Sequence, residues 1–196
     1  MALNAADSSQ FLLAEYRELR GEILKRSEIQ HQLISFSLAA LGALMAVGLR
    51  DSPNALLAYP IVTLGLAIGW TYNDLQIAQL GLYIKYRIES RLAAPGVGWQ
   101  HYITSEAASK RIGSLAKLST RGVFWISEIL TILLYVGKRQ TPWPRTLTGV
   151  APDDYLLAAS IAAIVLTMWV MRNQDQLVRE MESSIQRDGD RTSPAG

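Results

Sequence analysis

The chain has 196 residues, the length of one domain, and only 18% of them are charged, against about 25% in an average soluble domain. With 49% apolar residues and no cysteine, the composition excludes a disordered chain, a disulfide scaffold, a thiolate catalyst, a zinc finger and an iron–sulfur cluster. A net charge of +2 is too small to point to a nucleic-acid partner.

Residues 1–32 read as an amphipathic helix. Leu12, Tyr16, Leu19, Ile23, Arg26 and Gln30 fall on one stripe, and their steps alternate between four and three, the coiled-coil period. Ser8 or Ser9 supplies an N-cap. No proline separates this segment from the first apolar block, so one helix of about forty residues, roughly 60 Å, is expected. Gly21 weakens it locally by about 1 kcal/mol.

Four apolar blocks follow, at 33–50, 55–72, 122–138 and 155–172. A membrane span needs about 20 predominantly apolar residues. A soluble core helix keeps a polar stripe, and these blocks are apolar all round. The first two are joined by residues 51–54. The last two are joined by a turn-rich segment containing Pro142, Pro144 and Pro152. Each pair reads as a hairpin, leaving the long connection, 73–121, on the same side as both termini.

The second block runs on through Ile77, Leu80, Ile84 and Ile88, with Lys85, Arg87, Glu89 and Arg91 largely on other faces, until Pro95 and Gly96 stop it. Thr104 or Ser105 then caps a short helix running to Leu118. Its apolar side is Ile112, Leu115 and Leu118, and its basic side is Lys110, Arg111 and Lys117, followed by Arg121. Two readings of these cations stand side by side. One is a site for an anionic ligand. The plainer one is an interfacial helix whose cations meet lipid phosphates. Beyond the fourth block, in 173–196, Gln174, Val178, Met181 and Ile185 extend the stripe begun by Met171, and 189–196 reads as a disordered end.

Fifteen Lys and Arg flank the spans on the side of the termini and the middle segment, against four in the two hairpin loops. The positive-inside rule therefore places both termini in the cytoplasm. Tyr59, Tyr135, Trp143 and Tyr155 are expected near the outer interface, and Trp70, Tyr72, Trp125 and Trp169 near the inner one. The first span is expected to remain as an uncleaved anchor.

Between helices in lipid, association depends on close packing and a few polar contacts. Gly65 and Gly69 stand at GxxxG spacing; Gly42 and Ala46, then Ala159 and Ala163, form similar small faces. These six are the expected helix-packing positions, within the chain or between subunits. Glu128 is the one ionisable residue well inside a span, and it shares a stripe with Trp125, Thr131 or Ile132, and Tyr135, with Ser127 adjacent. A charge there is costly unless paired, protonated or wet. One reading sets this stripe toward the bundle interior or a pore, with Glu128 selecting cations or carrying a proton. The other makes it a protonated structural residue.

No phosphate-binding glycine loop, nucleophile elbow or HExxH is present. His31 and His101 read as interfacial, and Asp153 and Asp154 as helix-start acids rather than a cation site. No catalytic residue, metal or cofactor is expected.

Glu15, Tyr16, Arg17, Glu18, Leu19, Arg20, Gly21, Glu22 and Ile23 before a span, and Trp70, Thr71, Tyr72, Asn73 and Asp74 followed by 84–92, are similar to pieces of small bacterial membrane proteins. The helix, tight hairpin, helix layout of this first half resembles the SLATT type, a two-span module. The resemblance implies an effector that perturbs membranes in bacterial conflict systems, and it implies no site residue.

The expected fold class is thus all-α: an integral protein of the plasma (inner) membrane with four transmembrane helices as two hairpins and cytoplasmic helical extensions. The expected partners are the lipid bilayer, further copies of the chain and a cytoplasmic protein. The expected function is non-enzymatic, channel-like or membrane-perturbing. A membrane scaffold or accessory subunit is the alternative. A small transporter is a third, although Pro60 alone interrupts a span.

Overall fold

The computed structural model describes residues 5–89, 107–138 and 152–192, with side chains for 9–89, 115, 118–138, 153–185 and 187. Among them there is no strand. There are four long helices: α1 Ala5–Arg50, α2 Ala55–Tyr83, α3 Ala107–Lys138 and α4 Pro152–Thr192. A π-helical turn, Ile84–Glu89, prolongs α2. Each helix contains a segment long and apolar enough to cross a membrane.

The helices are longer than the apolar blocks because nothing in the sequence stops them at the block ends. α1 runs unbroken through Gly21 for 46 residues, as the absence of proline requires. α3 departs from the expected short helix followed by a separate span. It is continuous from Ala107, and Gly113 and Gly122 do not interrupt it. One glycine costs a helix about 1 kcal/mol, too little to break a ladder of this length. The proline-rich loop before α4, the Pro95 stop and the caps at Thr104 or Ser105 lie outside the described residues.

The chain divides into two compact units. The first draws on α1 up to Gln30, on α2 and its π turn from Tyr72, and on α4 from Gln174. Leu12, Tyr16, Leu19, Ile23, Arg26 and Gln30 are all half-buried, and the residues on the opposite face are exposed, so the coiled-coil stripe is the packed face. Ile84 and Ile88 are fully buried. The Asp74 carboxylate joins three helices: one oxygen accepts from Gln30 Nε2 at 3.4 Å and the other from Gln174 Nε2. Tyr83 donates to Glu15 at 2.8 Å, and Lys85 pairs with Glu182 at 3.2 Å. The Asp74 contacts involve a side chain 1% exposed, that of Gln174, where hydrogen bonds to a charged group contribute about 1.5–3 kcal/mol.

The second unit comprises His31–Thr71 and Leu118–Asn173. At one end Leu56, Leu57, Tyr135 and Leu157 form a buried cluster. At the other, Ala67, Trp70, Phe124 and Met171 form a second, with Leu33, Ile34, Leu66 and Trp125 against it. A four-residue turn joins α1 to α2, closed by Asp51 and Ser52 N–H groups bonding Val47 O. Gly48 is required beside it: a Cβ there would lie 2.5 Å from Leu56 Cγ. Pro60 sits inside α2, where it denies Leu56 O its usual N–H and crowds that turn. One residue on, Ser160 Oγ of α4 lies 2.7 Å from Leu57 O, and its single hydrogen serves either that oxygen or Leu156 O of its own helix.

Candidate functional site

The second unit buries a polar seam alongside its two apolar clusters and exposes large apolar side chains. Ser37, Thr63, Ser127, Glu128, Thr131, Ser160 and Thr167 are all buried, while Phe36, Ile126, Leu133, Val165 and Trp169 are exposed. Helical spacing produces this seam. On α2, Tyr59, Thr63, Ala67 and Thr71 recur every four residues. On α4, Ser160, Ala163, Thr167 and Met171 recur at three or four. On α3, Ser127, Glu128, Thr131 and Tyr135 share one face.

Two hydrogen-bonded groups occupy the seam. In one, Ser37 of α1, Tyr59 of α2 and Ser127 of α3 form a hydroxyl chain, with Ser37 Oγ 2.9 Å from Tyr59 Oη and Tyr59 donating to Ser127 Oγ at 2.8 Å. Ser127 in turn donates to its own helix at Val123 O, 2.6 Å, or Phe124 O, 2.9 Å. In the other, Thr167 of α4 donates to Glu128 Oε1 at 3.0 Å, and Thr131 donates to the Glu128 backbone oxygen at 2.8 Å. Glu128 is 0% exposed, and its Oε2 has no hydrogen-bond partner. Thr63 Oγ1, Thr71 Oγ1 and Trp125 Nε1 are likewise buried without one.

The expected pathway residues are therefore brought together: Glu128, Thr131, Ser127 and Tyr135 all face the interior of this unit. Among the described residues, no group of three or more His, Asp or Glu is arranged to hold a metal ion. Asp153 accepts from Asn54 Nδ2 at 2.7 Å in the first turn of α4, in keeping with its reading as a helix-start acid.

Of the six expected packing positions, two pack within the chain and four lie on its surface. Gly42, Ala46, Gly65 and Ala159 are exposed within the chain, and a Cβ on Gly42 or Gly65 would meet nothing within 4 Å. Ala163 is buried, and a Cβ on Gly69 would contact Leu33 at 3.6 Å. The tightest approach uses Gly48 instead, because the turn at 51–54 forces the helices together there. The aromatic residues divide by burial. Tyr59, Tyr135 and Trp70 are core residues, with Trp70 tilted against Phe124 at 6.4 Å, whereas Tyr72, Tyr155 and Trp169 are exposed. Trp143 lies outside the described residues. Of the basic group, Arg121 is buried; the side chains of Lys110, Arg111 and Lys117 lie outside the described residues, as does His101.

The sequence reading missed Tyr59, Thr63, Ser160 and Thr167 as members of the seam. Their four- and three-residue spacing with one another was the available signal, but it is faint where every neighbouring position is apolar. Comparison with protein families, curated proteins and solved structures finds no match to this chain.

Proposed function

We propose that this chain is a non-enzymatic, oligomeric multi-pass membrane protein that acts as a channel-like or membrane-perturbing effector, with a cation pathway organised around Glu128. Its four apolar segments cross the plasma (inner) membrane as two hairpins, with both termini in the cytoplasm as the lysine and arginine distribution directs. The observation that carries the reading is the second unit's distribution: hydroxyls and a carboxylate buried beside its apolar clusters, and many large aliphatic side chains exposed. A bundle surrounded by water gains by the opposite distribution. In lipid, small and hydroxyl-bearing residues hold helices together, and an interior carboxylate marks a pathway for ions or protons.

Purified full-length protein reconstituted in liposomes tests it. Wild type should pass monovalent cations, and Glu128→Gln should lose that flux while still inserting. A wild-type protein that inserts, stays monomeric by mass in detergent and conducts nothing would overturn the channel reading.

A second reading, a scaffold for a cytoplasmic partner, is favoured by the exposed Leu13 and Leu24 of α1. They lie about three turns apart on one face, away from the stripe packed in the first unit. Leu24→Glu should release a bound partner without altering flux; retention of the partner removes this reading.

A further inference from the structure

The seam contains a place whose own residues leave it incomplete. Ser127 and Thr131 each donate to a carbonyl of their own helix, and Ser160 donates to Leu156 O of its own helix or to Leu57 O of α2, the usual resort of a buried hydroxyl in a helix. Thr63 does not: its Oγ1 is fully buried and without a partner, and so is Glu128 Oε2.

The two belong to one layer. The cluster of Leu57, Tyr135 and Leu157 and the cluster of Ala67, Phe124 and Met171 fix the register of α2, α3 and α4 at two levels. Thr63 falls between those levels on α2, as Glu128 and Thr131 do on α3 and Thr167 on α4. Tyr59, one turn before Thr63 on the same face, bonds Ser127, the neighbour of Glu128 in sequence.

Among the described residues, Glu128 has no ion-pair partner. No Lys, Arg or His lies in 32–49, 55–71 or 155–171. On its own helix the nearest cation, Arg121, is seven residues away, about 10 Å along the axis. A water molecule would satisfy hydrogen bonds but leave the carboxylate charge unbalanced. A proton on Oε2 would balance the charge, but no hydroxyl stands within hydrogen-bond geometry to receive it, Thr63 Oγ1 included. A monovalent cation balances the charge and can bridge the longer gap to Thr63 Oγ1. The surrounding donors are all hard oxygens, one carboxylate and several hydroxyls, which suits an alkali ion rather than zinc or copper. A divalent ion would leave a net positive charge buried among apolar side chains.

We propose that the bundle holds one sodium-sized monovalent cation between Glu128 and Thr63, in the layer of Thr131 and Thr167. The inference deepens the membrane reading above and rests on it for the lipid surroundings, but it does not require conduction.

The test uses the full-length protein in detergent, titrated with sodium chloride against choline chloride at constant ionic strength. Binding of radiolabelled sodium and the thermal unfolding midpoint are the readouts. Wild type should bind sodium saturably and unfold at higher temperature as sodium rises, with no response to choline. Glu128→Gln retains an acceptor for Thr167 but not the charge, and should lose both effects. Thr63→Val keeps shape and loses one oxygen; it should weaken binding by about 10–100-fold, the usual penalty for disturbing the surroundings of a bound metal ion. No sodium binding by wild type, or undiminished binding by Glu128→Gln, overturns the site. If Glu128→Gln does not fold, undiminished binding by Thr63→Val overturns it alone. A carboxylic-acid C=O stretch in the infrared spectrum of the sodium-loaded wild type, absent from Glu128→Gln, would place a proton where we place the ion and overturn it as well. Sodium binding without flux would keep this inference and remove the channel; flux without binding would do the reverse.

Discussion

Val165→Asp separates lipid from water as the surroundings of the bundle. Val165 is 60% exposed on α4, close to the middle of the 155–172 segment. Were that face in water, the substitution would replace one exposed side chain with another, and surface changes of this kind stay within about 0.5 kcal/mol. In a bilayer centre an aspartate is disfavoured by about 2.5–3.5 kcal/mol and a valine favoured by about 0.3–0.6, so the exchange costs roughly 3–4 kcal/mol. That is a shift of more than about a hundredfold in the insertion equilibrium. Leu177→Asp is the control, because Leu177 is exposed on the same helix but beyond the apolar segment. Cell-free synthesis in the presence of liposomes, followed by flotation and alkaline extraction, reads the inserted fraction. Val165→Asp should fall sharply and Leu177→Asp should match wild type. Equal insertion and equal thermal midpoints for all three proteins would refute the membrane reading and, with it, the argument from the buried polar seam.

Further consequences are open to direct measurement. The chain has no cysteine, so single introduced cysteines report topology without background: Ser52→Cys should react with an impermeant maleimide in intact cells, and Ser183→Cys only after lysis. Tyr59→Phe removes the hydroxyl that joins Ser37 and Ser127; at about 0.6 kcal/mol for each hydrogen bond between membrane helices, it should cost roughly 1 kcal/mol in a reversible unfolding titration. Asp74→Ala should cost about 1–3 kcal/mol by leaving the buried Gln174 amide without that acceptor, with Asp74→Asn milder in the same titration. Gly65→Ala meets open space within the chain and should leave the monomer fold intact or stabilise it by up to about 1 kcal/mol; a loss of oligomer mass with the fold unchanged would put Gly65 between subunits.

Legibility in the sequence followed the strength of the periodic signal. The stripes of the first unit could be read because polar and charged residues alternate with Leu12, Leu19, Ile23, Ile84, Val178 and Met181, and contrast is what reveals a face. In the apolar blocks that contrast disappears. Glu128 stood out there as a lone charge, and Thr131 and Tyr135 followed from its spacing. The partners on other helices did not: nothing in α4 marks Thr167 as the donor to Glu128, because pairing depends on register between helices that are remote in sequence. The small residues show a related effect. Gly42 and Gly65 allow close approach, but the chain's own close approach is dictated by the short turn after Arg50 and falls at Gly48. The Asp74 junction escaped notice because Gln30 and Gln174 read as polar members of apolar stripes, and only the fold brings both to one carboxylate.

The two units manage their buried polar groups differently, and the contrast bears on function. In the first unit the central carboxylate, Asp74, has both oxygens engaged by carboxamides from two other helices. Such a group fixes register and has little freedom to exchange partners. In the second unit Glu128 has one oxygen held by Thr167 and the other without a partner, and Thr63 of α2 forgoes even its own helix carbonyl. A half-satisfied buried network is a poor way to stabilise a bundle, since each orphaned group costs about 1–3 kcal/mol and a charged one more. Packing alone therefore favours an apolar residue at position 128. Retaining a carboxylate there makes physical sense if something else occupies its free side for at least part of the time. This is why binding measurements on Glu128→Gln are more informative than its stability: a purely structural glutamate predicts a variant that is as stable as wild type or more so and is indifferent to sodium, whereas an ion-holding one predicts a wild type whose stability exceeds that of the variant only when sodium is present.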